Sequence, residues 1–262
     1  MDLITRIADV IIPVFLIVAI GYVYARRKAP DMSVFNRIAL DVLAPVLVYS
    51  ALSSRDFHLA DHVPLLIGGT VLIFGGGLLA WPLARLFRAQ PRTLVPVVMF
   101  NNSGNMGLPL LLFAFGEGTL GAAVMLLLVV TALQFALSPW LLSGRFSIGT
   151  LWREPFLLAA ALGVGVSLSG LALWPPFLSA CKLLADISIG LMIFALGVRL
   201  ASARVGAMVG IGVAGAVVRP VVGMALAWLF AAVLGLDKHS TDILVVFGAL
   251  PPAVSCFIFA DR

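Results

Sequence analysis

Three asparagines, a serine and two glycines crowd into one otherwise apolar stretch, Asn101-Asn102-Ser103-Gly104-Asn105-Met106-Gly107-Leu108-Pro109. In hydrocarbon, a polar group left unpaired costs a few kcal/mol, so such a segment survives only where it lines a watery or protein-lined cavity. Pro109 suits the first turn of a second half-helix, where its missing N–H costs nothing. Leu250-Pro251-Pro252, with Ser255 just beyond, offers the same start near the end of the chain. Two half-helix N-termini meeting at mid-bilayer would present free N–H groups and a partial positive charge of about half an electron each, which favours a carboxylate. The alternative is a pair of ordinary proline kinks whose asparagines bond neighbouring helices. On the first reading the substrate-binding candidates are Asn101, Asn102, Ser103, Asn105, Gly107, Pro109, Leu250, Pro251, Pro252 and Ser255.

Four further residues carry chemistry in apolar surroundings. Arg219 stands near the middle of a span and precedes Pro220, which leaves the carbonyl of Ala216 without its helical donor. A central arginine costs at least ~2.5–3.5 kcal/mol to insert, so it must face a cavity or a partner. It is either an anion-binding or gating charge, or a structural cation bonded to broken-helix carbonyls. Asp41 and Asp186 are proton-coupling candidates, because a carboxyl in low dielectric can load and release a proton near neutrality; the plainer reading is an interfacial acid bonded to a neighbouring helix. Gln134 is either a lining group of the site or a helix-to-helix hydrogen bond.

These residues must be held by elements that tolerate lipid. With 62% hydrophobic residues, 11% charged residues and a mean hydropathy of +1.13, the 262-residue chain carries more apolar surface than one soluble core can hide. Runs of about 20 residues, enough to cross the hydrocarbon layer as helix, fall at Ile7–Tyr24, Phe35–Ser53, Val63–Leu83, Thr93–Phe115, Leu120–Leu142, Pro155–Leu173, Phe177–Leu200, Gly206–Leu234 and Ile243–Ala260. The expectation is an all-α polytopic membrane protein with nine spans. The first run is followed at once by Arg26, Arg27 and Lys28, which marks a retained span rather than a cleaved signal.

Basic residues are unevenly shared between alternate loops. One set holds Arg26, Arg27, Lys28, Arg85, Arg88, Arg92, Arg145, Arg153, Arg199, Arg204 and Arg262, and the other only Arg6, Arg55, Lys182 and Lys238. The excess assigns the first set to the cytoplasm and the N-terminus to the outside. The net charge of +5 is dispersed through these loops and forms no basic face with interleaved aromatics, which argues against a nucleic-acid partner. Cys181 and Cys256 read as free thiols. His58, His62 and His239 all fall in expected loops, and no metal or other cofactor is expected.

The chain repeats itself in outline. Asp41 and Pro45 in the second span match Asp186 and Gly190 in the seventh, each acid lying four residues ahead of a helix-weakening residue. The fourth and ninth spans match as the two interrupted ones. A five-span offset relates both pairs, and an odd repeat length puts the halves in opposite orientations. The expectation is therefore two inverted five-helix repeats, residues 1–142 and 143–262, with broken, crossing fourth and ninth helices. By the same logic a tenth helix should follow the ninth span, and it is expected to be missing because the sequence ends at Arg262. Gly210-Ile211-Gly212-Val213-Ala214-Gly215 fits a dinucleotide-binding pattern, yet it follows no strand and reads as small residues for close helix packing.

The broken fourth span Asn101 to Leu110, the ninth-span Leu250-Pro251-Pro252-Ala253-Val254 and the stretch Phe194-Ala195-Leu196-Gly197-Val198-Arg199-Leu200 together resemble a bacterial member of the auxin efflux carrier family, relatives of the PIN-type auxin exporters. The resemblance covers essentially the whole chain. It implies a ten-helix fold similar to bile-acid symporters and sodium/proton antiporters, with scaffold and transport domains each drawn from both repeats. The crossover would lie at Asn101 to Pro109 and Leu250 to Ser255. It further implies carboxylate substrates, transport driven by electrochemical gradients, a multi-pass place in the bacterial inner membrane, and room for a homodimer through the scaffold domain. Gly190 departs from the pattern, standing where many relatives have proline.

Three functions compete. A secondary carrier for a small organic anion working by alternating access accounts for the breaks and the central arginine. A receptor or sensor binding the same ligand without transport is the alternative, although no soluble signalling domain accompanies the spans. A membrane enzyme is disfavoured, since there is no paired-aspartate protease motif, no His-Glu-x-x-His and no strand-borne nucleophile. The chain also has no nucleotide-binding loop of its own to drive pumping.

Overall fold

The computed structural model describes residues 3–87, 90–143, 154–202 and 209–253. Regular structure in these residues is helical: α1 Leu3–Lys28, α2 Ser33–Ile38, α3 Ala44–Leu52, α4 Leu59–Leu86, α5 Pro91–Met99, α6 Leu108–Phe115, α7 Leu120–Ser143, α8 Pro155–Ser169, α9 Pro175–Ser202, α10 Val209–Leu234 and α11 Lys238–Gly248. Helix is what lipid permits, because its backbone groups bond within the segment and ask nothing of the solvent. Among the described residues six stretches are long and apolar enough to cross a membrane: Ile7–Lys28, Ser33–Leu52, Leu59–Leu86, Glu117–Leu137, Pro175–Ser202 and Gly215–Leu234.

The three other expected spans are not single long helices among the described residues. α8 stops after 15 residues, about 22 Å of rise, where Gly170 takes a left-handed conformation (φ 64°) that a side chain would disfavour. The fourth span is divided between α5 and α6, and the ninth loses its helix after Gly248. The glycine-rich decoy lies inside α10 as helix. His62 and His239 sit in the first turns of α4 and α11 rather than in loops, because the helices begin earlier than their apolar runs.

Two widened turns interrupt the helices, at Ala39–Leu43 and Ser103–Gly107. Each spans a residue four positions ahead of a proline: Asp41 before Pro45 and Asn105 before Pro109. A proline has no N–H to return to that carbonyl and its ring crowds it, so the helix relaxes into a wider i→i+5 turn before resuming. In the first of these the N–H of Ala44 donates to the carbonyl of Ala39, five residues back.

The chain divides into two compact units, each assembled from separate stretches. One comprises Met1–Ala60, Gly104–Val124 and Trp152–Arg204. Here α1 packs along α9 with backbones nearly touching: a Cβ on Gly197 would run into the carbonyl of Val18 and lie 2.9 Å from the Tyr22 nitrogen. Tyr24 and Phe194 meet beside that seam as tilted rings, centroids 5.8 Å apart. α3 packs on α8, where Gly163 lies against Tyr49 and Leu52. The free thiol of Cys181 is buried in this unit.

The other unit comprises Asp61–Ser103, Met125–Leu151 and Val205–Arg262. α4 carries a run of small residues against its neighbours, and a Cβ on Gly76 or Gly77 would meet the Val98 carbonyl at 3.1 Å or the Met99 sulfur at 2.8 Å. α10 packs on α11 through Gly223 and Gly248. Without a hydrophobic driving force between helices in lipid, such close van der Waals approach is what holds them together. Asp237 starts α11 as its N-cap, accepting from the N–H groups of His239 at 3.0 Å and Ser240 at 3.3 Å.

Candidate functional site

The interruptions of the fourth and ninth spans meet within the second unit. α5 ends at Met99, and Phe100 swings into extended backbone (φ −103°, ψ 125°). Asn101 then forms an antiparallel bridge with Pro252. The N–H of Asn102 donates to the Pro251 carbonyl at 2.9 Å, and the N–H of Ala253 donates to the Phe100 carbonyl at 3.0 Å. Two short extended pieces thus satisfy each other where neither belongs to a helix.

Pro251 and Pro252 explain what surrounds them. Neither has an N–H, so the carbonyls four residues earlier, those of Phe247 and Gly248, lose their helical donors. Both find side-chain donors instead. Asn101 Nδ2 donates to the Phe247 carbonyl at 2.9 Å, and Arg219 Nη1 donates to the Gly248 carbonyl at 2.8 Å. Gly223, one turn after Arg219, leaves room for the guanidinium: a Cβ there would collide with Nη1 and with the Gly248 carbonyl. Arg219 is thus bonded to a broken-helix carbonyl, that of Gly248 rather than Ala216.

Burial makes these polar groups costly if left idle. Arg219 and Asn101 are each only 2% exposed, and Asn102 and Ser103 are buried as well. Asn101 Oδ1 has no hydrogen-bond partner among the described residues, an acceptor held ready for a donor. The side chains of Asn102 and Ser103 likewise make no hydrogen bond among the described residues, so two amide N–H groups and a hydroxyl stand beside the bridge. Leu250 is buried at the same link and Pro251 is half-buried.

The rest of the predicted set is dispersed. Asn105 belongs to the first unit, in the turn that Pro109 widens; Gly107 caps α6, and Pro109 occupies its first turn as the sequence indicated. Gln134 is half-buried on α7. Asp41 lies exposed in the widened turn at Ala39–Leu43. Asp186 is exposed on α9, its carboxylate 3.7 Å from Lys182, which also reaches Glu117 at 3.5 Å. Ser255, and the half-helix expected after Pro252, lie outside the described residues.

A family model described as membrane transport protein matches two stretches that together take in nearly the whole sequence, residues 7–143 and 139–262. The chain belongs to this family. It is the family of the auxin efflux carriers, which the broken fourth span resembles, and it makes the chain a membrane transporter. No curated protein matches the chain. For a transporter, irregular backbone at a buried position is the expected place for cargo, because only there are amide groups exposed away from lipid.

Sequence reasoning missed two features of the molecule. The Phe247 and Gly248 carbonyls were identifiable as acceptors by counting four residues back from each proline. Asn36, which accepts from Arg199 Nη2 at 3.2 Å, sits in an apolar helix start and carries no signal of its own.

Proposed function

We propose that the protein is a secondary active carrier of a small organic anion, a carboxylate, working by alternating access in the bacterial inner membrane with its N-terminus outside. The observation that carries this reading is the set of unbonded polar groups at the bridged breaks. Asn102 and Ser103 are buried residues whose amide and hydroxyl make no hydrogen bond among the described residues and are not fully closed off, next to a link that also holds the buried cation Arg219. Donors and positive charge placed together in low dielectric favour an anion with two acceptor oxygens. The unbonded Oδ1 of Asn101 suits a cargo that also brings a hydroxyl or N–H.

Relatives couple to electrochemical gradients, and Asp41 and Asp186 are the carboxyls proposed for proton coupling here. The test is flux of radiolabelled carboxylates, malonate and phenylacetate, into proteoliposomes holding the purified chain. Wild type is expected to equilibrate or accumulate one of them under an imposed gradient, and Asn102→Ala to lower that flux by about tenfold, the worth of one charge-assisted hydrogen bond. Undiminished flux in both Asn102→Ala and Arg219→Ala would place the cargo elsewhere.

A further inference from the structure

The first unit contains a convergence of polar side chains of its own. Asn36 on α2, Arg199 in the last turn of α9 and Asn105 in the widened turn before α6 line one cavity of about 40 Å³. The rest of its wall is largely apolar, formed by residues such as Phe35, Leu40 and Met192. Both proline-widened turns contribute to it, the first through Ala39 and Leu40 and the second through Asn105. Prolines 45 and 109 thus open the space by the same local mechanism.

The chemistry of the cavity is one-sided. Arg199 Nη2 donates to Asn36 Oδ1 at 3.2 Å, and Arg199 forms no ion pair among the described residues. A guanidinium has five N–H donors, so the bond to Asn36 leaves Arg199, an exposed residue that lines the cavity, with donors to offer a ligand there. With its Oδ1 turned to Arg199, Asn36 keeps an NH₂ to offer, and the Asn105 amide makes no hydrogen bond among the described residues. The volume suits a few waters or one carboxylate group. A planar anion with two oxygens fits a guanidinium fork as no neutral group does.

We propose that this cavity is a second docking point for the cargo's carboxylate, on the side that the loop charges assign to the cytoplasm. The proposal rests on the reading of the protein as a carboxylate carrier and adds a site that the bridged breaks do not supply. The plainer role for Arg199 is to balance the C-terminal dipole of α9 and to anchor the helix end.

The probes are formate and acetate, small enough for the cavity, followed by saturation-transfer NMR on the full purified chain. The Asn102→Ala background is used so that binding at the breaks does not obscure the readout. Titrated signals are expected to persist in Asn102→Ala. Adding Arg199→Gln should weaken binding by about tenfold or more, adding Arg199→Lys less, and adding Asn36→Leu should also weaken it. Signals absent from Asn102→Ala, or unchanged by both Arg199→Gln and Asn36→Leu, overturn the proposal. If Arg199→Gln does not purify as a single species, Asn36→Leu decides. Should the vesicles carry no carboxylate while formate binding still depends on Arg199, the carrier reading fails and the dock stands.

Discussion

Asn101 donates its side-chain N–H to the carbonyl of Phe247, 146 positions later in the chain, at 2.9 Å. Pro251 cannot supply that carbonyl's i+4 bond, leaving it only a long backbone bond from the Leu250 N–H at 3.4 Å, so one interruption is closed by a side chain from the other. The cap predicts a stability phenotype. Asn101→Leu should leave the Phe247 carbonyl buried and poorly bonded, at a cost of about 1–3 kcal/mol, read as a lower thermal transition of the purified protein in detergent. Asn102→Ala, whose side chain bonds nothing in the described residues, should leave the transition nearly unchanged and reduce flux alone. An equal thermal loss in both variants would count against the division of labour.

Arg219 serves the neighbouring carbonyl. Arg219→Ala removes the donor from Gly248 and should lower both the thermal transition and flux. Arg219→Lys keeps the charge but not the reach of the guanidinium, and is expected to fall between wild type and Arg219→Ala in stability. A Lys variant that melts no higher than Ala would show that geometry, not charge, holds the break.

Two glycines of α9 should behave in opposite ways. Gly197→Ala drives a methyl into the Val18 carbonyl and should force α1 and α9 apart, costing about 1–3 kcal/mol. A Cβ at Gly190 meets nothing within 4 Å, so Gly190→Ala should stabilise the helix by about 0.4–1 kcal/mol through the unfolded chain. Thermal melts of the pair, measured side by side, test this contrast.

Asp237 gives a pH-dependent term outside the spans. Hydrogen bonding from the Ser240 side chain, with help from the backbone N–H groups of Ser240 and His239, holds its carboxyl below the ordinary aspartate value of 3.8. A lowered folded pKa means the cap's extra stability is complete above the ordinary value and disappears as pH falls through the folded one. Asp237→Ala should cost about 0.5–2 kcal/mol at neutral pH. Asp237→Asn should keep most of the cap and lose its pH dependence, as seen in melts taken from neutral pH down to below the ordinary aspartate value of 3.8.

The helical class, the position of the first break and the placement of Pro109 at the start of α6 were legible because they follow from local rules: hydropathy over a span-length window, and the missing N–H of proline. The shortness of α8 was not, since the apolar run continues to Leu173 while the turn at Gly170 ends the helix. Asn101 and Asn105 look alike in sequence, four residues apart in one polar cluster. Their surroundings differ because the chain passes from one compact unit to the other between Ser103 and Gly104.

Composition and periodicity, then, determined on their own that this chain lives in lipid as helices and that two of them must break, because those consequences arise within a few residues of each cause. Which donor would cover which abandoned carbonyl was decided only by the tertiary structure. Hydrogen bonding reaches about 3 Å in space and is blind to sequence distance, so Asn101 and Arg219 could be assigned to Phe247 and Gly248 only once the fold had brought them together.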